Sequence, residues 1–190
     1  MLRNVSFAAN AGQCVLLTGK NGAGKTTLLR AIAGLLDPEE GQVSWRGAPA
    51  RQTRNAFHGE LAYLGHEPAL KGDLSARENL RFAIGIRRDV SGQEIDAALA
   101  RTGATGFADR STRMLSAGQR RRVALAGVLL TGAALWLLDE PTTNLDADGQ
   151  RLVASLIEEQ VGRGGIVVAA VHHPLNLSAG EVVGLDLGVA

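Results

Sequence analysis

Eight residues near the N-terminus constrain this chain more than any other feature of its sequence. The segment Gly19-Lys20-Asn21-Gly22-Ala23-Gly24-Lys25-Thr26 matches the pattern G-x-x-x-x-G-K-[ST]. An apolar run at residues 15–18 precedes it, and residues 26–36 after it indicate a helix. Glycines allow successive backbone N–H groups to turn inward at a helix N-terminus, where the helix dipole favours anions. The sequence therefore predicts a phosphate-binding loop between a buried strand and a helix.

Side chains of this phosphate loop supply further chemistry. Lys25 can reach the β- and γ-phosphates of a nucleotide, and the Thr26 hydroxyl can bind Mg²⁺. The alternative, an accidental glycine turn, fits poorly because a strand and a helix flank the loop in the required order. The predicted nucleotide-binding residues of the loop are Gly19, Lys20, Asn21, Gly22, Ala23, Gly24, Lys25, Thr26 and Thr27.

A pair of acidic residues follows a second apolar run. The run Leu135-Trp136-Leu137-Leu138 leads directly into Asp139 and Glu140. Ligands of parallel sheets bind at the carboxyl ends of the strands, which is also where the phosphate loop opens. Asp139 is therefore predicted to hold Mg²⁺ through water, and Glu140 to accept a proton from an attacking water. The alternative is a strand that ends in a solvated acidic turn.

A histidine stands at the end of a third apolar run, residues 166–171. His172 at this position can contact the γ-phosphate and position the attacking water. A capping or surface histidine is the alternative, and the adjacent His173 competes for the same role. The pair does not predict a metal site, because no third ligand has a recognisable spacing.

The order of these runs predicts the fold class. Continuous apolar runs that alternate with helices indicate a mostly parallel sheet flanked by helices, so we expect an α/β P-loop NTPase fold. Residues 74–114 are rich in Ala, Arg and Glu, with apolar residues such as Leu80 and Ile84 at helical spacing. This segment is expected to be a helical subdomain inserted in the catalytic core of a single domain, residues 1–190.

Composition disfavours several other function classes. Charged residues make up 21% of the chain and the formal net charge is +1, so no broad basic face predicts binding to nucleic acid or anionic lipid. A single cysteine, Cys14, provides neither a disulfide framework nor a cysteine-based metal site, and its apolar neighbours predict a core position. The longest apolar region, residues 123–138, is interrupted and too short to span a bilayer. A role at a membrane would therefore depend on a partner.

One further motif, Leu115-Ser116-Ala117-Gly118-Gln119, precedes a long helical stretch at residues 120–130. Ser116 has the chemistry of an anion-binding N-cap. The motif lies after the phosphate loop and the helical segment and one helix before Asp139. Motifs in this order resemble those of the nucleotide-binding subunits of ABC transporters, and the resemblance covers nearly the full chain.

That resemblance implies a composite nucleotide site. Ser116 and Gly118, together with Gln119, match the signature that binds the γ-phosphate of ATP held by the opposite subunit. Two copies of the chain would then sandwich two ATP molecules head to tail. The loop at residues 144–146 matches the segment that crosses between the two sites.

The same resemblance assigns the catalytic roles. Glu140 matches the catalytic base and His172 the switch histidine, and Lys25 completes the implied catalytic set. ATP and Mg²⁺ are the implied ligands.

Three departures from the family pattern stand out. His66 replaces the glutamine that links Mg²⁺ to the membrane partner in most members, so His66 joins Thr26 and Asp139 as a candidate metal ligand. Gly127 stands where an arginine is common. Residues 1–7 resemble the family's second strand, and the first strand, with its adenine-stacking aromatic residue, is not recognisable. The chain is accordingly expected to start downstream of its natural start.

Several stretches resemble one branch of the family, the ATP-binding subunits of the bacterial haem exporter of cytochrome c maturation. They are residues 64–68, 71–82, 119–126, 136–141 and 164–170. This branch also has histidine at the glutamine position. The resemblance implies docking on integral-membrane exporter subunits, a peripheral position on the cytoplasmic face of the bacterial inner membrane, and a haem-handling step driven by ATP.

Other functions stay open from the sequence. An ABC exporter with a different cargo would have the same motifs. A soluble ABC ATPase acting on nucleic acid is disfavoured by the near-neutral charge, and a small-molecule P-loop kinase should lack the signature at residues 115–119. The arginine run at residues 120–122 is either the solvated face of a helix or part of a partner contact.

Overall fold

The fold is given by a computed structural model that describes residues 4–172, 175–178 and 180–188. The strands are β1 Gln13–Thr18, β2 Ser44–Trp45, β3 Ala48–Pro49, β4 Leu61–Leu64, β5 Leu135–Asp139, β6 Ile166–Ala170 and β7 Glu181–Asp186. The helices are α1 Lys25–Ile32, α2 Arg54–Gly59, α3 Ala76–Gly85, α4 Gly92–Arg101, α5 Ala117–Thr131 and α6 Ala147–Gly162. Short 3₁₀ turns at Thr105–Phe107 and Thr112–Met114 lead from α4 to α5.

Five of the strands form one parallel sheet in the order β4-β5-β6-β1-β7. Strands β1, β5 and β6 are mostly apolar and almost completely buried, as is typical of central strands of a parallel sheet covered on both faces. The register pairs Asp139 with Ala170 and Thr18 with Asp186, so these strands end at one edge. The predicted α/β class with a parallel sheet is confirmed.

The chain divides into two compact units, and the sheet belongs to the first. This unit comprises residues 1–66, 133–141 and 154–190. Its core contains Val15 and Leu17 of β1, Leu29 of α1 and Leu137 of β5, all fully buried. The small antiparallel pair β2–β3 and the helix α2 belong to the same unit. The phosphate loop therefore rests on a rigid, close-packed base.

The second unit comprises residues 67–132 and 142–153, and it is helical. Leu80, Ile84, Ile95 and Leu99, the apolar residues of α3 and α4, pack with α5 in its core. This unit is longer than the segment 74–114 singled out from the sequence, because α5 and part of α6 pack with it.

Three helices of this unit begin with the same local device. In each, an N-cap serine accepts a hydrogen bond from the backbone three residues on, and that residue's side chain accepts one from the serine N–H. The pairs are Ser75 with Glu78, Ser91 with Glu94, and Ser116 with Gln119. Hydrogen bonds from the serine backbone lower the pKa of Glu78 and of Glu94 below the ordinary value. The N-cap serine and the residue three positions later therefore fix where each of these helices begins.

The structure corrects two expected elements. Helix α1 ends at Ile32 rather than at residue 36, because Gly34 adopts a left-handed φ of 69° and Leu35 N–H donates back to the Arg30 carbonyl. Within residues 4–10, which are described, no strand forms, since a strand requires a hydrogen-bonded neighbour. Residues 1–3, the rest of the segment that resembles the family's second strand, lie outside the described residues.

The arginine run at the start of α5 is not a solvated face. Arg121 is 1% exposed, and Arg122 donates to the Thr102 carbonyl and pairs with Asp146. The buried Arg121 side chain and the contacts of Arg122 therefore belong to the packing of the second unit.

No helix within the described residues combines the length and the apolar character needed to cross a bilayer.

Candidate functional site

The phosphate loop closes tightly on itself between β1 and α1. Gly19, Gly22 and Gly24 have φ values of 133°, 82° and 98°, which favour glycine. A Cβ on Gly19 would come within 3.1 Å of the Ala23 side chain and 3.2 Å of the Gly188 backbone. No side chain caps the N-terminus of α1 at Gly24, so the first N–H groups of α1 face the loop. This arrangement is suited to a phosphate group.

Lys25 brings a positive charge into this loop. The residue is 6% exposed, and its Nζ donates hydrogen bonds to the carbonyls of Gly19 at 2.7 Å and Lys20 at 3.3 Å. Both acceptors are neutral, so they orient the ammonium without cancelling its charge. A buried ammonium in such a setting is stabilised further by an anion.

Thr26 and Asp139 meet across 113 residues of chain. Thr26 Oγ1 donates to Asp139 Oδ1 over 3.1 Å, because α1 begins beside the end of β5. Asp139 is 1% exposed, and its Oδ2 accepts no hydrogen bond from any described residue. A buried carboxylate oxygen in this state needs a cation or a water.

These two residues fit Mg²⁺ rather than a metal held by protein ligands alone. Within the described residues no three histidine, cysteine or acidic side chains are grouped to hold a metal ion. Mg²⁺ commonly takes one or two carboxylates, a hydroxyl and substrate phosphates, and retains several waters. A hydroxyl and an unsatisfied carboxylate oxygen beside a phosphate loop provide that donor set.

Glu140 follows β5 in a left-handed conformation, with φ of 50°. Its N–H donates to the Ala170 carbonyl at 3.0 Å, so the end of β6 fixes this backbone. Non-glycine residues reach such φ values at a cost, and they are enriched at functional sites. The turn brings the Glu140 side chain to two histidines.

Each carboxylate oxygen of Glu140 has its own imidazole contact. His172 Nε2 lies 2.5 Å from Oε1, and His66 Nδ1 lies 3.3 Å from Oε2. The Glu140 side chain is 16% exposed, whereas the His66 side chain is 55% exposed. The structure therefore brings His172 and His66, two residues of the predicted site, to the carboxylate of Glu140.

Most residues of the predicted site line one cavity of about 420 Å³. Its lining residues are Asn21, Gly22, Ala23, Gly24, Lys25, Thr26, Thr27, His66, Glu140 and His172. A neighbouring cavity of about 670 Å³ contains Gly19, Lys20, His172 and Asp186. All these residues belong to the first unit. We name the smaller space the base cavity.

The signature motif lies in the second unit. Ser116 Oγ accepts a hydrogen bond from the Gln119 N–H at 3.2 Å and so caps α5. A Cβ on Gly118 would come within 2.6 Å of the Asn144 carbonyl oxygen. Asp146 accepts from the Gly149 N–H and so starts α6. The signature and the loop 144–146 thus pack directly on each other.

Two outcomes could not be read from the motifs. Asp186 was missed, although β7 ends there at the same edge of the sheet as the phosphate loop. His66 was predicted as a candidate metal ligand, and nothing in the sequence indicated that its Nδ1 lies 3.3 Å from Glu140 Oε2. The competing residue His173 lies outside the described residues.

Comparison with protein families gives one match over most of the chain. Residues 2–143 match the family model described as ABC transporter. A relative from Shigella flexneri, the cytochrome c biogenesis ATP-binding export protein CcmA, is 43% identical over 98% of this chain and 89% of its own length. The protein of the same name from Nitrosococcus oceani is 46% identical over 94% of this chain and 82% of its own length.

Solved structures of ABC ATP-binding proteins are also similar to this chain. A putative ABC transporter ATP-binding protein from Pyrococcus furiosus superposes with a TM-score of 0.84 at 29% identity, over 98% of this chain and 90% of that one. A dimeric ATP-binding cassette in a post-hydrolysis state, bound to ADP and phosphate, superposes with a TM-score of 0.79 at 27% identity, over 90% of this chain and 80% of that one.

Proposed function

The chain belongs to the ABC transporter family, and on that premise we propose that it powers a haem-handling step of c-type cytochrome biogenesis as the ATPase subunit of an exporter. ATP binding and hydrolysis are the family's activity, and the relatives at 43% and 46% identity are named for cytochrome c biogenesis and export. The observation that carries the proposal is the base cavity, where Lys25, Thr26, Glu140 and His172 line one space.

The first step is binding of the ATP phosphates in the phosphate loop. Backbone N–H groups at the start of α1 and the buried Lys25 ammonium would contact the β- and γ-phosphates. Gly19 allows the loop to fold this tightly, because a Cβ there would come within 3.1 Å of Ala23 and 3.2 Å of Gly188. The loop therefore orients the nucleotide before any chemistry begins.

Thr26 and Asp139 would hold Mg²⁺ beside the phosphates. When bound, Mg²⁺ neutralises charge that develops on the phosphate oxygens. The support is the Thr26–Asp139 hydrogen bond together with the Asp139 Oδ2 that accepts no hydrogen bond from a described residue.

Glu140 would remove a proton from the water that attacks the γ-phosphate. Its backbone is fixed by β6 and its carboxylate by imidazoles, so it presents an oriented base. His172, once it turns to the γ-phosphate, would hold the phosphate in line with that water. Holding the reacting groups in one orientation lowers the activation free energy of hydrolysis, because the entropy of ordering them is lost on binding.

Completion of the site would require a second copy of the chain. We propose that Ser116, Gly118 and Gln119 of each copy cover the ATP held by the other, in a head-to-tail dimer with two nucleotides. The support is the exposed N-terminus of α5 and the dimeric nucleotide-bound state of a similar cassette. An N-cap serine at a helix N-terminus provides a donor and a favourable dipole for a phosphate.

We propose that residues 1–190 act as one nucleotide-binding domain, bound to integral-membrane exporter subunits on the cytoplasmic face of the bacterial inner membrane. Opening and closing of the dimer during the ATP cycle would then move the membrane partner. An exporter of the same family with a different cargo is the alternative, and the test below separates the two.

The test is purification of tagged Glu140→Gln chain from native membranes in the presence of ATP, followed by mass spectrometry. Removal of the base should slow hydrolysis about 10²- to 10⁴-fold while ATP stays bound, which traps the assembled complex. We expect small integral-membrane proteins of cytochrome maturation in the eluate. A Lys25→Ala chain, which should bind ATP weakly, is the matched control and should recover less of them.

Other outcomes redirect the proposal. Recovery of an unrelated permease would assign another cargo and leave the ATPase unchanged. Recovery of ribosomes or nucleic acid would favour the soluble ATPase alternative, and salt-dependent binding would support it.

A further inference from the structure

Two histidines approach opposite oxygens of one carboxylate, and only one of them is explained by the proposed ATPase cycle. His172 Nε2 contacts Glu140 Oε1 at 2.5 Å, and His66 Nδ1 contacts Glu140 Oε2 at 3.3 Å. His66 follows β4 and Glu140 follows β5, and these strands are parallel neighbours in the sheet. The contact is thus set by the register of the first unit.

The carboxylate of Glu140 can rotate about its last side-chain bond unless both oxygens are held. Rotation about that bond is broad and has a low barrier. In the proposed cycle His172 turns to the γ-phosphate and would give up its contact with Oε1. The His66 contact at Oε2 does not compete with the phosphate and can persist.

We propose that His66 is a positioning residue for the general base, which holds Glu140 Oε2 through Nδ1–H while Oε1 accepts the proton of the attacking water. The inference rests on the proposed role of Glu140. It assigns to His66 a function that acts through a carboxylate rather than through Mg²⁺. The contact requires only that Nδ1 carries a hydrogen.

The two ring nitrogens allow the contact to be tested atom by atom. An asparagine amide nitrogen lies close to the place of histidine Nδ1, whereas a glutamine amide nitrogen lies close to that of Nε2. His66→Asn therefore keeps a donor at the position of Nδ1, which faces Glu140. His66→Gln keeps a donor only at the position of Nε2. His66 is a good target for substitution because its side chain is 55% exposed.

The experiment measures kcat and KM for ATP with purified full-length chain and its His66→Ala, His66→Asn and His66→Gln variants. We expect His66→Ala to lower kcat about 10- to 100-fold with little change in KM, since misplacing a reacting group by about 1 Å has effects of this size. His66→Asn should retain kcat within about threefold of the parent, and His66→Gln should resemble His66→Ala. Recovery with Gln but not with Asn would overturn the proposal.

A double-mutant cycle separates this inference from the proposed base. If His66 acts through Glu140, adding His66→Ala to Glu140→Gln should change the residual rate by less than about twofold. If His66→Ala lowers the residual rate as much as it lowers the parent rate, His66 acts elsewhere and the inference fails. Near-normal turnover by Glu140→Gln alone would instead remove the proposed base.

Two further readouts guard against a merely structural effect. Affinity for Mn²⁺ in the presence of nucleotide, measured by electron paramagnetic resonance, should be the same in parent and His66→Ala; a loss would assign His66 to the metal and overturn the proposal. His58→Ala, a histidine of α2 whose ring contacts the Ala33 carbonyl at 3.1 Å, is the matched control. It should keep kcat within about twofold, even if it lowers the melting temperature.

Discussion

At the scale of single residues, depth of burial decides the chemistry of Lys25, Asp139 and Cys14. Lys25 and Asp139 are buried polar residues that would contact a phosphate and a cation in the proposed site. Cys14 is 1% exposed on β1, between Val167 of β6 and Val182 of β7. Desolvation there raises the pKa of the Cys14 thiol to about 12. The same burial therefore prepares two charges for ligands and makes the thiol inert.

The Cys14 environment predicts a pH dependence of stability. The folded chain keeps the thiol proton up to about pH 12, whereas the thiol of the unfolded chain ionises from its ordinary pKa of 9.0. The neutral thiol therefore contributes stability below pH 9 that is lost as the pH rises toward 12, by at most about 1.4 kcal/mol per pH unit. Urea unfolding at pH 7 to 10 should show this decline in the parent and less of it in Cys14→Ala.

A thiol reagent checks the same point independently. Labelling of Cys14 in the folded chain at neutral pH should be limited by unfolding, because the thiolate is the reactive form. Fast labelling, together with a stability difference that is constant with pH, would contradict the assignment.

At the scale of elements, α5 contains two glycines, Gly118 and Gly127, whose surroundings differ. Gly118 lies in the first turn, where the Asn144 carbonyl oxygen would be 2.6 Å from a Cβ. Gly127 lies in the same helix, where a Cβ would meet Leu80 Cδ2 at an ordinary 3.5 Å. One glycine is needed for close approach of the loop 144–146, and the other is not.

These contacts predict opposite effects of the same substitution. Gly118→Ala should destabilise the fold by about 1–3 kcal/mol, because the loop 144–146 has to move away from the new Cβ. Gly127→Ala should be neutral or stabilising by up to about 1 kcal/mol, since alanine is the better helix former. Melting temperatures of the two variants provide the measurement. Equal effects of the two substitutions would show that the loop does not restrict Gly118.

At the scale of the whole molecule, the proposed function depends on which residues share a site. The phosphate loop and Glu140 belong to one unit of the chain, and the signature belongs to the other. A head-to-tail dimer would use the phosphate loop of one copy with the signature of the other. Each site would then have contributions from two chains.

Mixing two inactive variants tests this arrangement. Lys25→Ala destroys every phosphate loop of its homodimer, and Ser116→Arg blocks every signature of its homodimer. In a mixed dimer one site combines the intact phosphate loop with the intact signature, so an equal mixture should recover about a quarter of the parent ATPase rate. If each site were built within one chain, mixing would recover none of it.

Local sequence patterns were sufficient for the parts of this protein that neighbouring residues determine. The phosphate loop, the apolar runs that became β1, β5 and β6, and the helical spacing around Leu80 depend on residues close together in the chain. The parallel α/β fold followed from the order of these runs. Tight turns, strand burial and helix periodicity each leave a local signal.

Tertiary structure alone decided the contacts that join distant segments. Arg121 is buried, although the sequence offered only a solvated face or a partner contact for its run. His66 reaches Glu140 through the register of β4 with β5. Asp186 enters the nucleotide region because β7 lies beside β1. Each of these contacts depends on which strand or helix packs next to which. Packing between distant segments produces no pattern in the neighbouring residues of the sequence.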